Sequence, residues 1–191
     1  MVGTVQVEET EGRVYATTPY HKGFVEVIKN LGGRWDADSK RWHVDARDRD
    51  RLIRLLGRVF GYVEAGPGAG ACTVRITLGE ESGHLVAINA LGRRLVHKRG
   101  RDERPQLGPG VVLVAGGFPA TSGSMRYPTL GVRRAVLEVR DVPLAMAEAL
   151  DVDDFAAVEI IPDEVDPLAA LRRERDALLA RVAEIDAALA A

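Results

Sequence analysis

The chain is poor in aromatic residues: Phe, Trp and Tyr make up 5% of its 191 residues, with two tryptophans among them. It holds one cysteine, Cys72, and a lone cysteine excludes an internal disulfide and fits a reducing cytoplasm. No apolar run approaches the ~20 residues of a membrane-spanning helix. The opening residues lack a basic start followed by an apolar stretch, so no signal peptide is expected. The four histidines, His21, His43, His84 and His97, have no metal-ligand spacing among themselves or with Cys72, and no cofactor is expected. A G-x-x-x-x-G-K-[ST] phosphate loop is missing, which removes the usual ATPase signature.

What is present is an uneven distribution of charge. The net charge is −2. Residues 1–66 carry +1, residues 67–140 carry +6 and residues 141–191 carry −9. Such segregation suggests a basic face for a polyanion, with an acidic element that repels it or folds over it.

Three segments follow from local pattern. Residues 1–66 read as a small α+β module of order β-β-α-β-β-α. Two alternating strands come first. A helix follows, with Thr18 as its cap, Pro19 in its first turn, and Phe24, Val27, Ile28 and Leu31 on its apolar face. A hairpin with an Asp/Ser-rich turn leads to a second helix faced by Leu52, Leu55, Leu56 and Val59. The Gly/Ala/Pro run near residue 66 marks a linker. Residues 67–165 read as a β-rich domain, a sheet or partly closed barrel. Residues 166–191 read as an amphipathic helix. Leu168, Leu171, Arg175, Leu178, Val182, Ile185 and Leu189 follow a 3-4 rhythm, an a/d seam of about three heptads. The seam either closes a homodimer or packs on its own chain. Taken together these give an α+β fold class.

Both tryptophans, Trp35 and Trp42, fall in "GGRWDADSKRWHV", residues 32–44, beside Arg34, Lys40 and Arg41. Two bulky rings on a small hairpin are first of all core material. If a ring face stays accessible it can stack on an unpaired base, and the neighbouring cations can contact phosphates. The arginines of the second helix alternate with Asp45, Asp48 and Asp50, the pattern of a solvated face.

Residues 20–61, with Gly32, Trp35-Asp36, a charged turn, Trp42, the extended pair His43-Val44 and a helix on either side, resemble the HepA-related-protein (HARP) domain and its short phage and bacterial relatives. The resemblance covers 42 of 191 residues and does not extend to residues 71–191. In eukaryotes that domain accompanies an annealing helicase motor and helps it engage forked or single-strand-bearing DNA. It implies a DNA-engaging module without a motor.

A second basic stretch, residues 92–105, holds Arg93, Arg94, Lys98, Arg99, Arg101 and Arg104. Among glycines and a proline it reads as a flexible loop able to give salt-sensitive, sequence-blind affinity. The "GGFPATSGSMRYP" stretch lacks the lysine of a phosphate loop and reads as a mobile loop in which Arg126 and Tyr127 are candidate nucleic-acid contacts. Asp151, Asp153 and Asp154 read as a solvated acidic turn rather than a metal site.

The chain therefore reads as a non-enzymatic nucleic-acid-binding accessory protein, DNA more than RNA and single-stranded or branched. The candidate contacts are Lys22, Arg34, Trp35, Lys40, Arg41, Trp42 and the six cations of residues 92–105. Two alternatives stay open: an interaction protein working through its C-terminal helix, and a nuclease-type enzyme with its site in the β-rich domain.

Overall fold

The computed structural model describes residues 3–64 and 70–162, with Arg175 and Leu178 beyond them. The expected C-terminal seam at Leu168, Leu171, Val182, Ile185 and Leu189 lies outside the described residues, and Leu178 is exposed.

The first layer is a sheet backed by two helices. Strands β1 (Gln6–Thr10) and β2 (Arg13–Thr17) form a hairpin. Its two-residue turn, Glu11-Gly12, has both φ angles positive, at 52° and 73°, the backbone twist that suits a tight antiparallel connection. Helix α1 (Lys22–Asn30) follows, then β3 (Arg34–Asp36), β4 (Arg41–Asp45) and α2 (Arg49–Phe60). The strand order is β1-β2-β4-β3, which leaves β3 at an edge. Phe24 and Ile28 of α1 and Leu52, Leu55, Leu56 and Phe60 of α2 bury against Val14, Ala16, Trp42 and Val44.

Two details of α1 depart from expectation. Its cap is His21 rather than Thr18: the His21 Nδ1 accepts the Phe24 N–H at 3.1 Å, satisfying one of the helix's orphan donors. Val27, expected on the inner face, is 40% exposed. The helix ends where Gly33 passes so close that a Cβ there would lie 2.7 Å from the Ile28 carbonyl oxygen, so only glycine fits.

The second core belongs to β5 (Ala71–Thr77), β6 (Ala87–Ala90), β7 (Arg93–His97), β8 (Gln106–Leu107), β9 (Val111–Gly117), β10 (Arg133–Pro143), a short helix α3 (Leu144–Glu148) and β11 (Ala157–Pro162). These strands make two further antiparallel sheets, β11-β5-β10-β9 and β6-β7-β8. The expected α+β class is thus overturned, and of the sheet or partly closed barrel expected for residues 67–165 the barrel is not formed. The described residues are β-rich, built on three small antiparallel sheets, with no closed barrel among them. Closure fails because β9 and β11 each end the larger sheet without pairing to one another, and no strand pairing joins it to β6-β7-β8. Alternating sequence marks strands, but edge pairing is settled by long-range contacts.

Main-chain bonds stitch the two cores together. The β6–β7 turn docks on the end of α2, with Gly92 N–H donating to Phe60 O and Val5 N–H donating to Gly92 O, both at 2.7 Å. Arg94 N–H donates to Gly3 O at 3.2 Å, and Thr4 bridges Arg93. Tyr62 packs against both cores.

Candidate nucleic-acid interface

The β3–β4 hairpin is shaped by its turn. Asp36 Oδ1 accepts the Asp38 N–H at 3.0 Å and Asp36 Oδ2 accepts the Ser39 hydroxyl at 2.5 Å. These bonds hold the Asp36 carboxyl below the usual carboxylate range. Lys40 closes the turn with φ at 54°. Across the two strands Trp35 pairs with Trp42. Their ring centroids are 5.5 Å apart at 58°, a tilted contact within the favourable aromatic range. Trp42 keeps 8% of its surface exposed and Trp35 keeps 51%. The sheet's helix-facing side therefore ends in a half-open indole braced by a buried one.

Side chains alternate between the faces of a sheet, so the cations lie apart from the rings. Arg34 and Arg41 flank the tryptophans in sequence and occupy the outer face with Tyr15 and His43, the register partners across β2, β4 and β3. Arg41 is already engaged: it pairs with Glu8 at 2.7 Å and its guanidinium lies 4.6 Å from the Tyr15 ring centroid. Tyr15 and His43 rings are 5.5 Å apart. Arg34 and Lys40 are exposed, as is Lys22, which reaches Glu26 at 3.9 Å. Because β3 is an edge strand, Trp35, Arg34 and Lys40 border one rim although they belong to different faces and the turn.

The structure divides the six cations of the second basic stretch. Arg93 is 6% exposed and its guanidinium donates to the carbonyls of Arg140 and Asp141 at 3.0 and 2.9 Å. Lys98 is 2% exposed and its ammonium donates to Ala120 O at 3.1 Å. Neither reaches the surface as a phosphate contact, and both are corrected to structural cations. Their buried cationic heads are satisfied by backbone carbonyls rather than by water. Arg94 is half-buried and donates to the Tyr20 carbonyl, tying β7 to the entry of α1. Burial lowers its pKa, as it does that of Arg93. Arg99, Arg101 and Arg104 are exposed, Arg101 lying 3.7 Å from Asp102.

Tyr15 and His43 were not singled out as site residues from the sequence. The signal was present in the alternation of β2 and β4, where Arg13, Tyr15, Thr17, Arg41, His43 and Asp45 share the outward parity. The acidic residues at 151–154 form a short turn in which Asp151 accepts the Asp153 N–H at 3.1 Å. Cys72 is buried, its thiol 3.5 Å from the Val142 carbonyl. No helix among the described residues is long and apolar enough to cross a membrane. No protein-family model, curated protein or solved structure matches this chain.

Proposed function

We propose that this chain is a nucleic-acid-binding accessory protein of the cytoplasm that engages single-stranded or branched DNA, in phage, mobile-element or repair DNA metabolism, through the rim of the β3–β4 hairpin. One observation carries the proposal: the Trp35 ring is half-exposed at a sheet edge and braced by the buried Trp42. A rigid, accessible indole offers base stacking with little side-chain entropy left to lose, an interaction worth about 1–3 kcal/mol per base. Arg34 and Lys40 supply the phosphate contacts beside it. Arg99, Arg101 and Arg104 add a second exposed cationic strip within the segment of charge +6. The likeness of residues 20–61 to the HARP domain points the same way. Such binding is sequence-blind and strongly salt-dependent.

The test is fluorescence anisotropy of the full chain on single-stranded, forked and duplex DNA over a series of salt concentrations. Replacing Arg34 and Lys40 together by alanine lowers the magnitude of the log K against log salt slope by about two units, one per lost phosphate contact. Both residues are exposed, so the fold is retained. An unchanged affinity and slope sinks the hairpin as the binding surface.

A further inference from the structure

The stretch between β9 and β10 is expected from its small residues to be mobile, yet it is tied down along its length. Its stem is a short hairpin: Gly123 bridges Pro128, Ser124 N–H donates to Tyr127 O at 2.9 Å, Thr129 N–H donates to Ser122 O at 3.2 Å, and the Ser122 and Thr129 hydroxyls are 2.7 Å apart. Its base is fixed by Leu130 N–H to Leu85 O at 2.7 Å and Gly131 N–H to Gly83 O at 2.9 Å, with Leu130 fully buried. Its flank is fastened to the basic loop by Lys98 on Ala120 O, by Ser122 N–H on Arg101 O at 3.3 Å, and by the Thr121 hydroxyl on Asp102 at 3.2 Å.

The tip of this rigid stem is apolar and aromatic, and it faces water. Met125 is 77% exposed and Tyr127 is 67% exposed, with the Arg126 guanidinium 5.5 Å from the Tyr127 ring centroid. The Tyr127 N–H donates to the Ser124 hydroxyl at 3.0 Å, which fixes the backbone of the tip. Neither side chain belongs to a core. A flexible loop would let such groups fold back onto the body; this one holds them out. The loop it is fastened to presents Arg99, Arg101 and Arg104.

We infer that the Met125–Tyr127 tip is a wedge for the junction between paired and unpaired nucleic acid, with the neighbouring arginines holding the phosphates on either side. The inference rests on the nucleic-acid function proposed above and specifies its substrate. Apolar side chains on rigid supports unstack base steps when they enter between them. In a continuous duplex this opposes stacking and pairing; at a junction the step is already open, so the opposing term is least there. A plain single strand offers bases to stack on but no paired end to abut. The geometry therefore predicts fork over single strand, and both over continuous duplex.

The test compares the full chain with the Met125→Ala, Tyr127→Ala double variant on a forked DNA, a single strand of equal length and a continuous duplex. A 2-aminopurine base at the fork junction reports unstacking. Wild type binds the fork more tightly than the single strand and brightens the junction base. The double variant loses about tenfold on the fork, the scale of one stacked base, keeps its single-strand affinity within about twofold, and leaves the junction base dark. Tyr127→Trp, which keeps an aromatic tip, retains the fork preference. An unaltered fork preference and junction signal in the double variant overturns the wedge while leaving DNA binding intact. Wild type that binds none of the three DNAs overturns the functional proposal, and the wedge with it.

Discussion

Trp42 and Trp35 share one row of a sheet, yet α1 and α2 cover the first and leave half of the second open. This divides their roles between stability and contact. Truncating a buried tryptophan removes its transfer free energy and leaves a cavity, typically costing about 3–5 kcal/mol. Truncating a half-exposed one costs less, since it returns less area to water and leaves no closed cavity, and the ring–ring contact it loses is worth about 0.5–1.5 kcal/mol. Urea denaturation is expected to place Trp42→Ala at the large value and Trp35→Ala at the small one, with Trp35→Ala losing single-strand affinity at unchanged fold. Equal destabilisation by the two would show that Trp35 is core and not contact. The sequence made the pair conspicuous but could not rank its members, because each follows an arginine in a short strand. Burial of the second ring depends on Phe24, Ile28 and α2 packing over β4. Arg93 and Lys98 were illegible for a similar reason. The carbonyls that receive them belong to residues 120, 140 and 141, far along the chain, and their own neighbours mark an exposed basic loop.

At the scale of single elements the alternation of β2 and β4 and the leucine spacing of α2 were readable, since both periods are properties of the backbone itself. The start of α1 was not. Thr18 with Pro19 is the commoner start signal, but Pro19 is buried and the helix begins after His21. A histidine cap has a consequence that threonine would not. The accepting Nδ1 needs its lone pair, so the imidazole must be neutral. Burial first, and then the nearby Arg94, hold the His21 pKa below its ordinary 6.5. Burial, followed by Arg94 and Arg99, does the same to His97. Both groups bind protons more readily in the unfolded chain. Their contribution is therefore complete above about pH 6.5 and is lost as pH falls through the lower folded values. The urea midpoint is expected to hold steady from about pH 8 to pH 7 and to decline toward about pH 5. His21→Asn keeps a capping acceptor without a titrating ring, and it should flatten part of that decline. A midpoint that rises on acidification would contradict the neutral cap.

At the scale of the whole molecule the described residues form two hydrophobic cores, and the question is whether these melt as one. Their boundary is not a bare linker crossing. It carries the Gly92 bonds to Phe60 and Val5, the Arg94 bonds to Gly3 and Tyr20, and the Tyr62 ring, which packs on both sides. Burial raises the Tyr62 pKa, in keeping with a phenol drawn out of water. Backbone bonds that cross a boundary form only when both sides are folded, so each crossing bond adds coupling free energy, about 0.5–1.5 kcal/mol apiece. Added to the packing of Tyr62, that sum is a sizeable part of the 5–15 kcal/mol that holds a typical protein folded. Wild type is therefore expected to unfold in a single transition, with tryptophan fluorescence, which reports only the first core, coinciding with far-UV circular dichroism, which reports both. Tyr62→Ala removes the shared ring and leaves the backbone bonds to hold the seam alone. The two probes should then separate, the first core losing its fluorescence signal at lower urea than the strands of the second. Coincident curves in Tyr62→Ala would assign the coupling to the main-chain stitches around Gly92, where a φ of 66° and a Met146 sulfur that an added Cβ would meet at 3.1 Å leave little space for a side chain. Separated curves already in the wild type would make the two cores independent units, and the seam a contact without cooperative consequence.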